Sequence, residues 1–115
     1  AIADTAHNAN GLQLVMQQIK KQKFKNLNIV LGMVADKDID KILPLFPTNA
    51  TYYFCKPNVP RGLEAEILQQ KAQQHQLLGE VYVSVSVAYQ AALKNATVDD
   101  FIYVGGSTFV VAEVV

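Results

Sequence analysis

The sequence predicts an α/β fold: a doubly wound, mostly parallel sheet with helices on both faces. Three observations lead there. Short apolar runs recur five times along the 115 residues, each followed by a polar turn and then a stretch of helical periodicity. None of the runs alternates apolar with polar residues, as a strand with one wet face would. The length suits a single domain, 1–115, whose sheet is covered by the helices between its strands.

The opening run, Ala1-Ile-Ala3, enters a turn carrying Asp4, Thr5, His7, Asn8 and Asn10. Leu12, Val15, Met16 and Ile19 then recur at three- and four-residue spacing, one face of a helix that Asn8 or Asn10 would cap. Such a turn lies at the carboxyl end of its strand, where α/β sheets bind ligands. The helix N-terminus behind it suits a phosphate or carboxylate. An acid, an imidazole and two amides make this the strongest polar cluster in the chain.

The second unit is a strand over 27–32, a turn with Asp36, Lys37 and Asp38, and a helix through Ile39, Ile42 and Leu43 that Pro44 stops. Asp36 or Asp38 reads equally well as the cap of that helix. A β-branched and aromatic strand over 50–55 follows, then Lys56-Pro-Asn-Val-Pro-Arg-Gly62. Its prolines and glycine stiffen a loop that carries Arg61, the chain's single arginine. Arg61 is either an anion clamp or a surface residue paired with Glu64 or Glu66.

A helix over 63–77 is expected to turn Ile67, Leu68 and Ala72 inward, with His75 solvated near its end. The fourth strand is read over 78–83, and Ser84 or Ser86 caps a helix through Val87 and Leu93. Tyr82 and Tyr89 are read as aromatics at the core's edge. The fifth strand, 99–104, runs into Gly105-Gly-Ser107. Those glycines allow either a close approach of backbone N–H groups to a ligand or tight strand–helix packing.

Ten basic residues balance ten acidic ones, so no net field calls for nucleic acid or an anionic membrane. Lys20, Lys21, Lys23 and Lys25 fall where cations complement the end of the first helix. Cys55 is the only cysteine. It is expected to be a buried, inert thiol in a reducing, cytoplasmic setting. No apolar run reaches the ~20 residues of a membrane span. Neither G-x-G-x-x-G nor G-x-x-x-x-G-K-[ST] occurs, so this domain is not expected to cradle a triphosphate in the P-loop manner. The start of the chain, in what reads as a strand's end, suggests a piece of something longer.

Asp4-Thr-Ala-His-Asn8, followed by Asn10-Gly11, resembles the D-x-A-H-N-x-x-G signature opening the C-terminal domain of folylpolyglutamate synthases, in the Mur ligase superfamily. Three further blocks resemble that family in order: Gly32-Met-Val-Ala-Asp-Lys-Asp38, Pro60-Arg-Gly62 and Val104-Gly-Gly-Ser107 with Val111, Ala112 and Val114 behind it. The resemblance implies a Rossmann-like Mur ligase C-terminal domain. Its parent would be a bifunctional folylpolyglutamate synthase and dihydrofolate synthase, with the P-loop and most magnesium ligands in an N-terminal ATPase domain.

That parent would use ATP and Mg to join L-glutamate to a folate or dihydropteroate carboxylate. Asp4, His7 and Asn8 would then contact the nucleotide, and Lys37, Asp36, Arg61 and Ser107 would hold substrate. No catalytic residue and no metal ligand is implied here. Two other readings stand beside this one: a Mur-type ligase acting on a peptidoglycan precursor, and a stand-alone α/β small-molecule-binding module.

Overall fold

The computed structural model describes residues 2–3, 26–35, 39–97 and 100–105. Among the described residues nine elements run in order: β1 (Ile2–Ala3), β2 (Leu27–Leu31), α1 (Ile39–Ile42), a 3₁₀ turn (Leu43–Leu45), β3 (Thr51–Phe54), α2 (Ala65–Gln73), β4 (Gly79–Val81), α3 (Val85–Asn95) and β5 (Phe101–Gly105). The strands form one sheet in the order β1-β5-β2-β3-β4, and every pairing is parallel.

β2 lies between β5 and β3 and buries all five of its residues. Strand side chains alternate between faces, so β2 supplies two cores. Leu27, Ile29 and Leu31 join Tyr52, Phe54 and Tyr103 beneath Ile39, Ile42, Leu68 and Ala72 of α1 and α2. Val30 joins Tyr53, Ile102 and Val104 beneath Val85, Ala88 and Ala92 of α3. Strand order explains which helix covers which face. The connections β2 to β3 and β3 to β4 step forward along the sheet, whereas β4 to β5 steps back across it. Right-handed crossovers in opposite directions put their helices on opposite faces. On the first face Tyr52 stacks on Phe54 at 5.7 Å, and Phe46 meets Tyr52 edge-on at 6.4 Å.

Asn28 is the one buried polar side chain among the described residues. The Tyr53 hydroxyl donates to its Oδ1 at 3.1 Å and accepts from the Asn95 amide at 3.4 Å, tying α3 to β2 and β3.

The α/β class and the parallel sheet agree with the sequence, and several boundaries differ. The second unit's α-helix ends at Ile42, and Pro44 sits in the 3₁₀ turn that follows, near whose start its missing N–H costs little. The helix expected over 63–77 spans only Ala65–Gln73: before it, Leu63 donates its N–H to Met33, in the segment leaving β2, at 2.8 Å, and after it the chain turns out of the helix at Gln76. Ile67 is 43% exposed and Leu68 takes the inward position beside Ala65 and Ala72. The fourth strand is trimmed to Gly79–Val81. Of the two candidate caps, Ser84 is the one, its Oγ accepting from Val87 N–H at 3.1 Å. Tyr82 and Tyr89 pack at the edge of the α3-side core. The first helix expected from the opening turn lies outside the described residues.

α2 ends in a pair of bonds running back over its last turn. Leu77 N–H reaches the Ala72 carbonyl at 3.0 Å and Gln76 N–H reaches Gln73 at 3.1 Å, with Gln76 left-handed at φ 59°. This Schellman arrangement favours glycine at Gln76, because a side chain with positive φ carries a penalty of about 1–2 kcal/mol. Gln76→Gly is therefore expected to stabilise the domain by up to about 1 kcal/mol, after glycine's own entropic cost. Urea unfolding of the two forms checks it; an unchanged or lower midpoint would contradict it.

Candidate functional site

The strands end almost flush. Ala3 pairs with Val104, Leu31 with both Gly105 and Phe54, and Phe54 with Val81. The segments leaving all five strands therefore start from one edge, the edge at which parallel sheets bind ligands. Along that edge, strand order sets the sequence of blocks: the strand before Asp4, the strand before Ser107, the strand before Asp36, then the strand before Arg61. Asp4, His7, Asn8, Asp36, Lys37 and Ser107 themselves lie outside the described residues. Arg61 lies within them, exposed on the loop that follows β3.

That loop is stiff for reasons beyond its prolines. Val59 N–H donates to the Pro57 carbonyl at 2.8 Å and Gly62 N–H to the Val59 carbonyl at 2.9 Å. An antiparallel bridge between Val34 and Gly62 then fastens the loop to the segment leaving β2. Ala35 N–H donates to the Arg61 carbonyl at 2.7 Å, and Leu63 N–H to Met33. A methyl group on Gly62 would come within 2.5 Å of the Pro57 carbonyl oxygen, so only glycine fits. At the loop's root, Lys56 pairs with Glu64 at 2.8 Å. Both partners are exposed, so the pair adds little stability. Gly105, by contrast, is explained by packing: the Tyr103 ring occupies the space a Cβ would need.

Between this loop and the start of α3 opens a crevice of about 450 Å³, lined by Lys56, Pro57, Asn58, Val59, Pro60, Val83 and Ser84. It lies where the chain leaves β3 for one face and β4 for the other, the switch point at which doubly wound sheets hold ligands. Val83 is 89% exposed at its rim. The sequence reading took Lys56, Asn58 and Ser84 only as loop and cap residues. Recognising them as walls needs the strand order, which local sequence does not carry.

Two features of the described part are structural. Cys55 is fully buried, its N–H bonded to the Leu31 carbonyl at 3.0 Å and its thiol 3.5 Å from the same oxygen. Tyr52 is held uncharged, because burial pushes its phenol far up; it donates to the Pro47 carbonyl in the loop that enters β3. Among the described residues no three His, Cys, Asp or Glu side chains converge into a cation cage, and no helix is long and apolar enough to cross a membrane.

A parallel, doubly wound sheet whose loops leave all the described strands from one edge defines an α/β domain of the doubly wound class. The model of the family "Mur ligase, glutamate ligase domain" matches residues 1–108, and the chain belongs to that family. It is 33% identical over 115 residues to the dihydrofolate synthase/folylpolyglutamate synthase of Escherichia coli K12, covering 98% of this chain and 26% of that protein. A "Probable bifunctional folylpolyglutamate synthase/dihydropteroate synthase" of Haloferax volcanii is 31% identical over 115 residues, covering 97% of this chain and 14% of that protein. The chain thus spans 26% and 14% of the length of these two relatives. Among solved structures, E. coli FolC in complex with DHPP and ADP superposes with a TM-score of 0.87 at 31% identity, over 96% of this chain and 26% of that one. A folylpolyglutamate synthase/dihydrofolate synthase with Mn, AMPPNP and L-glutamate bound superposes at 0.83, with 26% identity over 96% of this chain and 27% of that one.

The burial of Cys55 yields a direct test. A thiol reagent should label it in the folded domain only as fast as the domain opens, and at the rate of a free thiol in denaturant. Rapid labelling in native buffer would contradict the packing described.

Proposed function

We propose that this chain is the C-terminal domain of an ATP-dependent ligase that joins L-glutamate to a folate or dihydropteroate carboxylate. One observation carries the reading: the whole described sheet superposes on FolC, with the Arg61 loop at the edge where the four family blocks begin. In this reading the chain is one domain, 1–115, and an N-terminal P-loop ATPase domain precedes it in the longer protein.

Neighbouring strands lie ~4.8 Å apart, so the end of β1 and the end of β3, three strands away, are separated by ~14 Å. That spacing suits a site with nucleotide at one end and amino acid at the other. Asp4, His7 and Asn8, following β1, would bind the nucleotide. Asp4 can accept from ribose or adenine donors, and His7 would lie beside the base or phosphates. Lys37, Asp36, Arg61 and Ser107 would receive glutamate, with the Arg61 fork matching a carboxylate.

ATP supplies the phosphoryl group that turns the acceptor carboxylate into an acyl phosphate, which the glutamate amine attacks with loss of phosphate. The domain's own contribution is to orient glutamate and, by closing against the ATPase domain, to keep water from the activated acyl group. In this reading magnesium is held mainly by the partner domain.

The test is ligation of labelled glutamate to dihydropteroate and to a reduced folate, by the longer protein and by the pure domain. The longer protein should extend both acceptors with ATP present, and the domain alone should neither ligate nor turn over ATP. Ligation to neither acceptor, or ATP turnover by the domain alone, would overturn the proposal.

A further inference from the structure

We infer that the backbone clasp joining residues 33–35 to residues 61–63, with Gly62 at its neck, is a positioning device that sets affinity for the incoming amino acid. It rests on the reading that Arg61 meets that substrate's carboxylate.

Arg61 is an exposed side chain on a loop, and long flexible side chains lose up to about 2 kcal/mol of rotamer freedom on being fixed. A binding arginine in such a place needs its backbone fixed beforehand. Here that fixing comes from outside the loop. The Arg61 carbonyl accepts from Ala35 N–H at 2.7 Å, and the Leu63 N–H two residues on reaches Met33 at 2.8 Å. Met33 is fully buried just beyond β2, and Cys55 N–H extends the β2 ladder through Leu31 at 3.0 Å. Both ends of the Arg61 loop are thus anchored to the central strand.

Gly62 is the tightest point of this arrangement. Its missing Cβ would lie 2.5 Å from the Pro57 carbonyl oxygen and 3.2 Å from that of Val59. Both are backbone atoms of the same loop, so no side chain can swing aside to make room. Gly62→Ala must therefore open the loop or stretch the clasp, and either moves the Arg61 Cα. Misplacement of a binding group by about 1 Å can cost as much as ~100-fold. The nucleotide end of the edge starts three strands away, beyond β2 and β5, and stays where it is.

The experiment measures KM for glutamate and for ATP in the longer protein, unaltered and carrying Gly62→Ala, Ala35→Pro, Arg61→Ala or Gly62→Ala with Arg61→Ala. Ala35→Pro deletes the donor to Arg61 and sets its ring against that carbonyl, opening the clasp from the β2 side with the loop's own sequence intact, so it decides the matter should Gly62→Ala fail to fold. Each clasp variant should raise the glutamate KM about tenfold or more and leave the ATP KM within about twofold. Gly62→Ala should add nothing once Arg61 is gone, because its effect runs through that residue. An unchanged glutamate KM, a parallel rise in both constants, or full additivity with Arg61→Ala would overturn the clasp's role while leaving the ligase reading intact. Absence of glutamate ligation by the unaltered protein would overturn the reading and the clasp's role together.

Discussion

Everything described here depends on β2 being paired on both edges and buried on both faces. A strand so placed cannot expose a polar row, so it is apolar except at Asn28, whose Oδ1 the Tyr53 hydroxyl satisfies, and it needs a helical layer above and below. Leu27, Ile29 and Leu31 require α1 and α2, and Val30 requires α3. Once β5, β2 and β3 are locked in parallel register, their carboxyl ends coincide and the loops that follow share an edge. The site is a consequence of the core.

The core transmits more than position. Arg61 sits on a loop, yet its backbone is held by bonds that lead back into β2 through Ala35 and Met33. A loop fastened in this way combines an exposed functional side chain with a rigid support, which short-range turn chemistry alone would not give it. The same bonding explains why α2 starts late. With Leu63 held in the clasp, Glu64 stays extended at ψ 136°, and helical backbone begins only at Ala65.

Much of the fold was legible because burial on both faces leaves a distinct mark: five apolar runs without alternation, each closed by a polar turn. The parts that were not legible depend on distant residues. Local periodicity gives no sign that Leu63 bonds Met33, so the helix it predicts begins two residues early. It also placed Ile67 inward on spacing, although that side chain stands at the margin of the stripe and is 43% exposed. The crevice walled by Lys56, Asn58 and Ser84 follows from the step back from β4 to β5, and strand order is a property of the whole sheet. Of the site residues, Arg61 could be read only as an arginine on a stiff loop; its bond to Ala35 adds the link to the second block. The opening turn, the most specific stretch in the sequence, lies outside the described residues.

The central claim is a divided edge, with nucleotide at the β1 end and amino acid along the ends of β5, β2 and β3. Steady-state kinetics of Asp4→Ala and Arg61→Ala in the longer protein test it most directly. The account predicts that Asp4→Ala raises the ATP KM about tenfold or more with little change for glutamate, and that Arg61→Ala does the reverse, each equivalent to about 1.4 kcal/mol or more of lost binding. Two variants that move both constants together, or an Arg61→Ala that leaves the glutamate KM untouched, would contradict it.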